Sequence, residues 1–516
     1  MQDRRARTVL LLAILALLAA LKLHYSSGEG PLGLDGSNYF QVARNVAEGR
    51  GLVTNLSLYH IAFKHLPARS FQTYPLWPLL LGYTGRAIGM FRAADVLSKL
   101  FYFLSLLMTY FAANAIANGA IGRVAFIPRW PAIDFGHVAV LLLGTNSLFF
   151  IVTTFPYTEG ISFTLMFASI AVLAAPPVPG IWRGAAAGVF AGLALLARTQ
   201  MILLGPAVAG CLILAAWSDR RLVRAAAGCS AAVLAGLVYW YFGIFGIRVE
   251  RAAVPPFAMW VETPTATAWI TDRFQGVLTS LDPTSPYSYF HSWGAAAAIP
   301  LIAASLGLRW LIRKRRVAWR AAPERVALFI AATAGLLFFA ILYNYHETFF
   351  QPWLFGYRHG LPYVLLILIS LPFLMASASR LLRAVTVSLV ALSIVMGTAG
   401  VVAFVTSPLP PGPRLSERSL SAWIDHQRIA PTLLSTNAQT LSTWNHGNYH
   451  WLLCTDKPQQ VRILLRELPI DFVVVYDSER QCPAFKGLGD ILGAAGKFGE
   501  GQDAIWLLRP RATHPL

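Results

Sequence analysis

Charge is what this chain has least of. Only 13% of its 516 residues are Asp, Glu, Lys or Arg, and the acidic ones number 24 against 42 Lys and Arg. Soluble domains carry about 25% charged residues. With 56% apolar residues, the chain lacks the polar groups to cover a globular surface in water, so lipid must solvate much of it. It also lacks a P-loop and a glycine-rich dinucleotide turn, the usual cradles for nucleotide phosphates. No internal repeat and no low-complexity tract is visible. The net charge of +18 does not signify nucleic-acid binding, because the basic residues are scattered through short segments between apolar runs and read as topology signals.

Apolar runs of bilayer-spanning length lie near 9–25, 94–116, 136–155, 161–175, 184–197, 199–216, 225–246, 294–312, 326–344, 361–378 and 384–405. About eleven membrane helices are therefore expected. With Arg4, Arg5 and Arg7 in the cytoplasm, the segments 1–8, 117–135, 176–183, 217–224, 309–325 and 379–383 fall on the same side. They hold three, two, one, three, seven and two Lys or Arg. The opposite-side turn 156–160 holds none, and 345–360 holds only Arg358. This is the positive-inside pattern. It puts the N-terminus in the cytoplasm of a bacterial inner membrane and, across an odd number of spans, the tail in the periplasm. Leu23-His24-Tyr25-Ser26-Ser27 offers no clear small-x-small cleavage site, so the first span reads as an uncleaved anchor.

Two outer loops, 26–93 and 247–293, are long enough to be functional. In the first, Tyr39, Val42, Ala43 and Val46 follow the i, i+3, i+4, i+7 spacing of an amphipathic helix, with Ser37 as its cap and Gly49 or Gly51 at its end. Such a helix is expected on the membrane surface. A second short helix is expected from Leu76 to Leu81. The second loop is rich in proline and aromatics, among them Pro255, Trp260, Trp269 and Tyr289. An aromatic belt at the headgroups and a clamp for a lipid-linked substrate both fit it. Residues 1–405 thus form a transmembrane domain and 406–516 a small periplasmic α/β domain. In the latter, Leu420–Ile424 reads as helix, and 432–435, 471–476 and 504–508 read as strands. Of four cysteines, Cys211 and Cys229 fall in membrane helices as core residues. Cys454 and Cys482 share the tail, in an oxidising compartment, and are a candidate disulfide.

Asp35 precedes the first-loop helix, whose positive end favours an ionised carboxylate. Such a group takes a proton from a hydroxyl, binds a metal, or caps the helix. The words around it are specific. Asp35-Gly36-Ser37-Asn38-Tyr39-Phe40, then Ala43 to Leu52, then Tyr74-Pro75-Leu76-Trp77-Pro78 resemble the first luminal loop of GT-C glycosyltransferases. The likeness is to the branch of protein O-mannosyltransferases and lipid A aminoarabinose transferases. That pattern has an Asp and an aromatic, a helix ending in A-x-N-x-A-x-G-x-G, and a Y-P-P-x-x-P helix. Leu76 here stands where the second proline belongs. Pro156-Tyr157-Thr158-Glu159, Leu195-Leu196-Ala197-Arg198 and Tyr357-Arg358-His359-Gly360-Leu361-Pro362 resemble three further motifs of these enzymes, in the same order.

The resemblance implies an inverting transfer of a sugar from a polyprenyl-phosphate donor to a periplasmic acceptor. Asp35 would be the base, and Glu159 a second acidic group that binds acceptor, helps hold a metal or caps its helix. Arg358, Arg198 and Lys64 would be phosphate partners, since interfacial cations in membrane proteins are costly and usually functional. Tyr74 belongs to the same substrate-binding set. The resemblance admits a divalent metal ion as cofactor. Some relatives, however, carry an acidic pair where this chain has one Asp, which argues against metal dependence, and no metal site is assigned. His446 and His450, four apart, lack a third zinc ligand. The rival function is a secondary transporter, which would show broken midplane helices and related halves. A non-catalytic scaffold would leave Asp35 and Arg358 unrelated in space.

Overall fold

A computed structural model of the chain describes residues 2–25, 34–57, 63–69, 74–121, 133–174, 180–198, 201–202, 204–245, 380–407, 413–454 and 456–511. The second long loop, the expected spans 294–312, 326–344 and 361–378, and Arg358 lie outside the described residues.

The chain opens with α1 (Gln2–His24), then α2 (Leu34–Ala47) and three two-residue strands, β1 (Val53–Thr54), β2 (Leu56–Ser57) and β3 (Ala68–Arg69). Next come α3 (Leu76–Ile88), α4 (Met90–Ile121), α5 (Phe135–Gly144), α6 (Ser147–Val152), α7 (Glu159–Ala174), α8 (Ile181–Ala197), α9 (Leu204–Ser218), α10 (Val223–Trp240) and α11 (Arg380–Thr406). Among the described residues, Arg5–His24, Met90–Ala115 and Arg220–Gly243 are long and apolar enough to cross a membrane, and four apolar helices are shorter. The expected span 136–155 is two helices. The Asn146 side chain accepts from Phe149 N–H and starts α6 afresh, so a local cap outcompetes helix continuation.

Close packing of α8 on α10 comes from small residues. A Cβ added at Gly188 would lie 2.6 Å from the Cys229 carbonyl oxygen, and one at Gly192 would lie 3.5 Å from Gly236 Cα. Small residues let apolar helices approach closely where lipid provides no hydrophobic drive.

Past residue 413 the chain changes character. It forms α12 (Leu415–Asp425), β4 (Thr432–Ser435), α13 (Ala438–Trp444), β5 (Asn448–Trp451), α14 (Pro458–Glu467), β6 (Phe472–Tyr476), β7 (Leu492–Phe498) and β8 (Ile505–Pro510). The sheet order is β2-β5-β4-β6-β8-β7. Its first four strands run parallel, and β8 runs antiparallel to both of its neighbours, β6 and β7. Phe472-Val473-Val474-Val475-Tyr476 is buried throughout, because helices cover both faces. Val473 and Val475 pack with Val461 and Leu464 of α14, while Val474 and Tyr476 pack with Leu420 and Ile424 of α12. A strand buried on both faces reads as a continuous apolar run, and the expected strands at 432–435, 471–476 and 504–508 are all present. One edge strand was not legible. β2, from the first loop, pairs in parallel with β5 through Leu56 with Tyr449 and Ser57 with His450.

Cys454 and Cys482 are bonded, 28 residues apart in sequence. Closing a loop of that length removes chain entropy from the unfolded state worth about 3–4 kcal/mol. Cys482→Ser is therefore expected to lower the unfolding midpoint of the tail in thermal denaturation. An unchanged midpoint would mean that the bond does not stabilise the fold.

The first-loop helix differs from the expectation of a surface helix. Its apolar face is buried as anticipated, with Tyr39, Val42, Ala43 and Val46 at 7% exposure or less. Its polar face is buried too, through Ser37, Asn38, Gln41 and Asn45. Protein covers both sides. A Cβ at Gly82 of α3 would collide with the Ala43 carbonyl oxygen and Val46. On the other side, Phe40, Phe91 and Trp444 form an aromatic ladder with ring centroids 4.6 and 5.1 Å apart.

Candidate functional site

Asp35 sits in the first turn of α2, inside the helix rather than ahead of it, and Ser37 is a buried helical residue rather than its cap. The free N–H groups and the helix dipole at that end favour the carboxylate. Asp35 is half-buried. Tyr39, four residues on, shares its helix face and is 5% exposed. Tyr39 shares a buried cluster with Trp77 of α3, Ile161 of α7 and Ala197 of α8, with Tyr74 packed against it. Its hydroxyl lies within electrostatic reach of Thr158, Tyr74, Arg198 and Glu159. Burial pushes this phenol well above its ordinary pKa, so it stays protonated and serves as a hydrogen-bonding group.

The segment from Thr153 to Glu159 is held from four sides. From α1, the fully buried Lys22 ammonium donates to Phe150 O at 2.7 Å, Thr153 Oγ1 at 3.1 Å and Thr154 Oγ1 at 2.7 Å. The rings of Phe150 and Tyr102 flank it at 4.3 and 4.7 Å. From α3, Trp77 Nε1 donates to Pro156 O at 2.7 Å. From α4, Ser98 Oγ donates to Phe155 O at 3.2 Å. At the end of α8, Arg198 donates to Thr158 Oγ1 at 3.3 Å and pairs with Glu159 Oε1 at 2.6 Å. Arg198 and Glu159 are 2% and 0% exposed at their side chains. Unscreened by water, the pair has a strong mutual attraction and costs much to separate.

Of the residues singled out in the sequence, Glu159, Arg198 and Tyr74 thus gather around Tyr39, one helical turn from Asp35. Lys64 is half-buried next to Phe63, whose N–H donates to Ser57 Oγ, which places it just beyond β2. His446 and His450 are not on a helix. His446 faces Glu48 and Arg50, while His450 lies in β5, where burial lowers its pKa to about 4. Among the described residues no three His, Cys, Asp or Glu side chains gather in one place, so a divalent metal finds no ligand set there. Sequence reading missed Lys22, although a lysine within an apolar run is itself a signal. It also missed the direct pairing of Glu159 with Arg198.

No model of a protein family matches the chain, and no curated protein matches it by sequence. Solved structures do. ArnT from Cupriavidus metallidurans aligns over 97% of this chain and 98% of its own, with TM-score 0.56 at 12% identity. The oligosaccharyltransferase AglB from Archaeoglobus fulgidus, in complex with an inhibitory peptide and a dolichol-phosphate, aligns over 98% of this chain and 75% of its own, with TM-score 0.56 at 9% identity. The arabinofuranosyltransferase AftD from Mycobacteria aligns over 98% of this chain and 40% of its own, with TM-score 0.56 at 13% identity. The chain has the GT-C fold. In this GT-C chain Tyr39 of α2 lies 120 residues before Glu159 at the start of α7, and Glu159 lies 39 before Arg198 at the end of α8. The fold packs them together.

Proposed function

We propose that the protein is an inverting membrane glycosyltransferase that moves a sugar from a polyprenyl-phosphate carrier to an acceptor at the outer face of a bacterial inner membrane. The observation that carries this reading is the convergence of three separate motif segments beside the N-terminal turn of α2, on a GT-C fold. ArnT has been solved bound to undecaprenyl phosphate and AglB with a dolichol-phosphate, and this supports a lipid-phosphate donor here.

In the proposed step an acceptor hydroxyl attacks the anomeric carbon. Its C–O bond forms as the bond from that carbon to the phosphate oxygen breaks, and the phosphate leaves with the electron pair. The hydroxyl proton passes to the Asp35 carboxylate in the first turn of α2. Cations at the phosphate stabilise the charge that develops on it. Arg198, Lys64 and Arg358 are the proposed partners. Glu159, locked to Arg198, orients that guanidinium, and Tyr39 and Tyr74 wall the same space.

Topology supports the outer-face assignment. Residues 56–57 and 448–451 belong to one sheet, so the first loop and the tail share one side of the membrane. An even number of crossings must then separate them, in keeping with ten of the eleven expected spans. The Cys454–Cys482 bond fits an oxidising compartment. The test compares envelope glycans and polyprenyl lipids, by mass spectrometry, in cells with and without the gene. Loss of one sugar from an envelope component, with accumulation of its polyprenyl-phosphate form, is expected. Unchanged glycans and carriers would refute the reading.

A further inference from the structure

The polar face of α2 is committed to a small network that centres on Asn55, a residue 3% exposed between β1 and β2. All four of its hydrogen-bonding groups are used, two in each direction. Toward α2, its backbone N–H donates to Gln41 Oε1 at 2.9 Å and its Oδ1 accepts from Asn45 Nδ2 at 2.6 Å. Toward the tail, its backbone carbonyl accepts from Tyr449 N–H at 2.7 Å and its Nδ2 donates to Asn448 Oδ1 at 2.8 Å.

The polarity of this amide chain is fixed by chemistry. Asn45 Nδ2 also donates to the Val53 carbonyl at 2.8 Å, and a carbonyl can only accept. Asn55 must therefore turn its oxygen to Asn45 and its amide nitrogen to Asn448. Every member is buried, so loss of one partner strands a polar group away from water, which the folded state resists strongly. Arg44, on the same helix, donates to the carbonyls of Ser442 at 2.9 Å, Thr443 at 3.2 Å and Asn445 at the C-terminal end of α13. Cations are favoured at that end of a helix.

We propose that Asn55 is a positioning residue through which the C-terminal sheet fixes the placement of α2, and hence of Asp35. On this account the tail is part of the catalytic architecture. It acts from about 9 Å along the helix axis at Gln41 and about 15 Å at Asn45, by the rise of 1.5 Å per residue. The activity arm of the test rests on the role of Asp35 given above. The structural arm does not.

The test is hydrogen–deuterium exchange and kinetics on the full-length protein in nanodiscs, for Asn448→Leu, Asn45→Leu and Asn448→Asp. The first breaks the network on the sheet side, and the second breaks it without touching the sheet. The third keeps an oxygen aimed at Asn55 Nδ2. Both leucine variants should speed exchange of the amides of residues 38–47 by about tenfold or more, while amides of β6 and β8 stay protected. Both should lower kcat by about 10–100-fold with the apparent KM for donor lipid little changed. Asn448→Asp should retain most of both properties. Unchanged exchange in α2 for Asn45→Leu overturns the proposal whatever the rate does. So does Asn448→Asp behaving like Asn448→Leu, since the hydrogen bond would then be immaterial. Faster α2 exchange at an undiminished rate leaves the coupling standing and removes Asp35 from the chemistry.

Discussion

Asp35→Asn is expected to lower the transfer rate by about 10²–10⁴-fold, the usual loss of a general base, with the protein still folded. The substitution keeps the shape of the side chain and most of its ability to accept hydrogen bonds at the start of α2. It removes the basicity needed to take a proton from the acceptor. Were Asp35 only a group that stabilises the helix start, the same change would do little, and even replacement by Ala would cost about 0.5–2 kcal/mol of stability. The helix-dipole interaction is worth about 0.3–1 kcal/mol, too small for its loss to unfold the chain. Rate and unfolding midpoint, measured on one preparation, separate the two roles. A large fall in rate at an unchanged midpoint assigns Asp35 to the chemistry. A normal rate assigns it to the helix end.

Arg198→Met should have the largest effect on stability, about 3–5 kcal/mol. It leaves the Glu159 carboxylate buried without its guanidinium, the usual cost of breaking a buried pair on one side. Glu159→Gln with Arg198→Met in one chain should regain most of that loss, because no uncompensated charge remains. The double variant then isolates function from folding. If Arg198 also stabilises the departing phosphate, the stable double variant should still be slow by about 10²–10³-fold, the typical loss of one preorganised donor. Recovery of both stability and rate would make the pair purely structural. Thermal unfolding in detergent reads the first effect, and steady-state turnover reads the second.

What could be read from the sequence follows the range of the forces involved. The helices α1, α4, α7, α8 and α10 announce themselves as apolar runs, because burial in lipid needs only composition and length. Strands such as β6 announce themselves as well, since a strand covered on both faces must be apolar throughout. The face of α2 that bears Tyr39, Val42, Ala43 and Val46 was legible from its spacing. Its other face was not. Gln41, Asn45 and Arg44 look like solvent-facing residues, and only the fold reveals that Asn55, itself bonded to Asn448, covers the first two and the end of α13, some four hundred residues away, covers Arg44. β2 is two residues long and owes its conformation to β5, so no local pattern marks it. The break in the third span was hidden because its cap, Asn146, acts through a single hydrogen bond inside an otherwise apolar run. Around Tyr39, the motif segments holding Glu159 and Arg198 stood out one by one in the sequence. The pairing of Glu159 with Arg198 was not legible, because thirty-nine positions of sequence say nothing about which helix ends meet.

The most direct measurement uses purified protein in liposomes that carry a polyprenyl-phosphate sugar extracted from the native membranes, with envelope extract as acceptor. Mass spectrometry follows the lipid over time. A glycosyltransferase converts the donor into free polyprenyl phosphate, one released for each sugar transferred, only when acceptor is present, and the new linkage has the opposite anomeric configuration. Donor that crosses the bilayer chemically intact, or that persists with acceptor present while the protein is folded, would contradict the account.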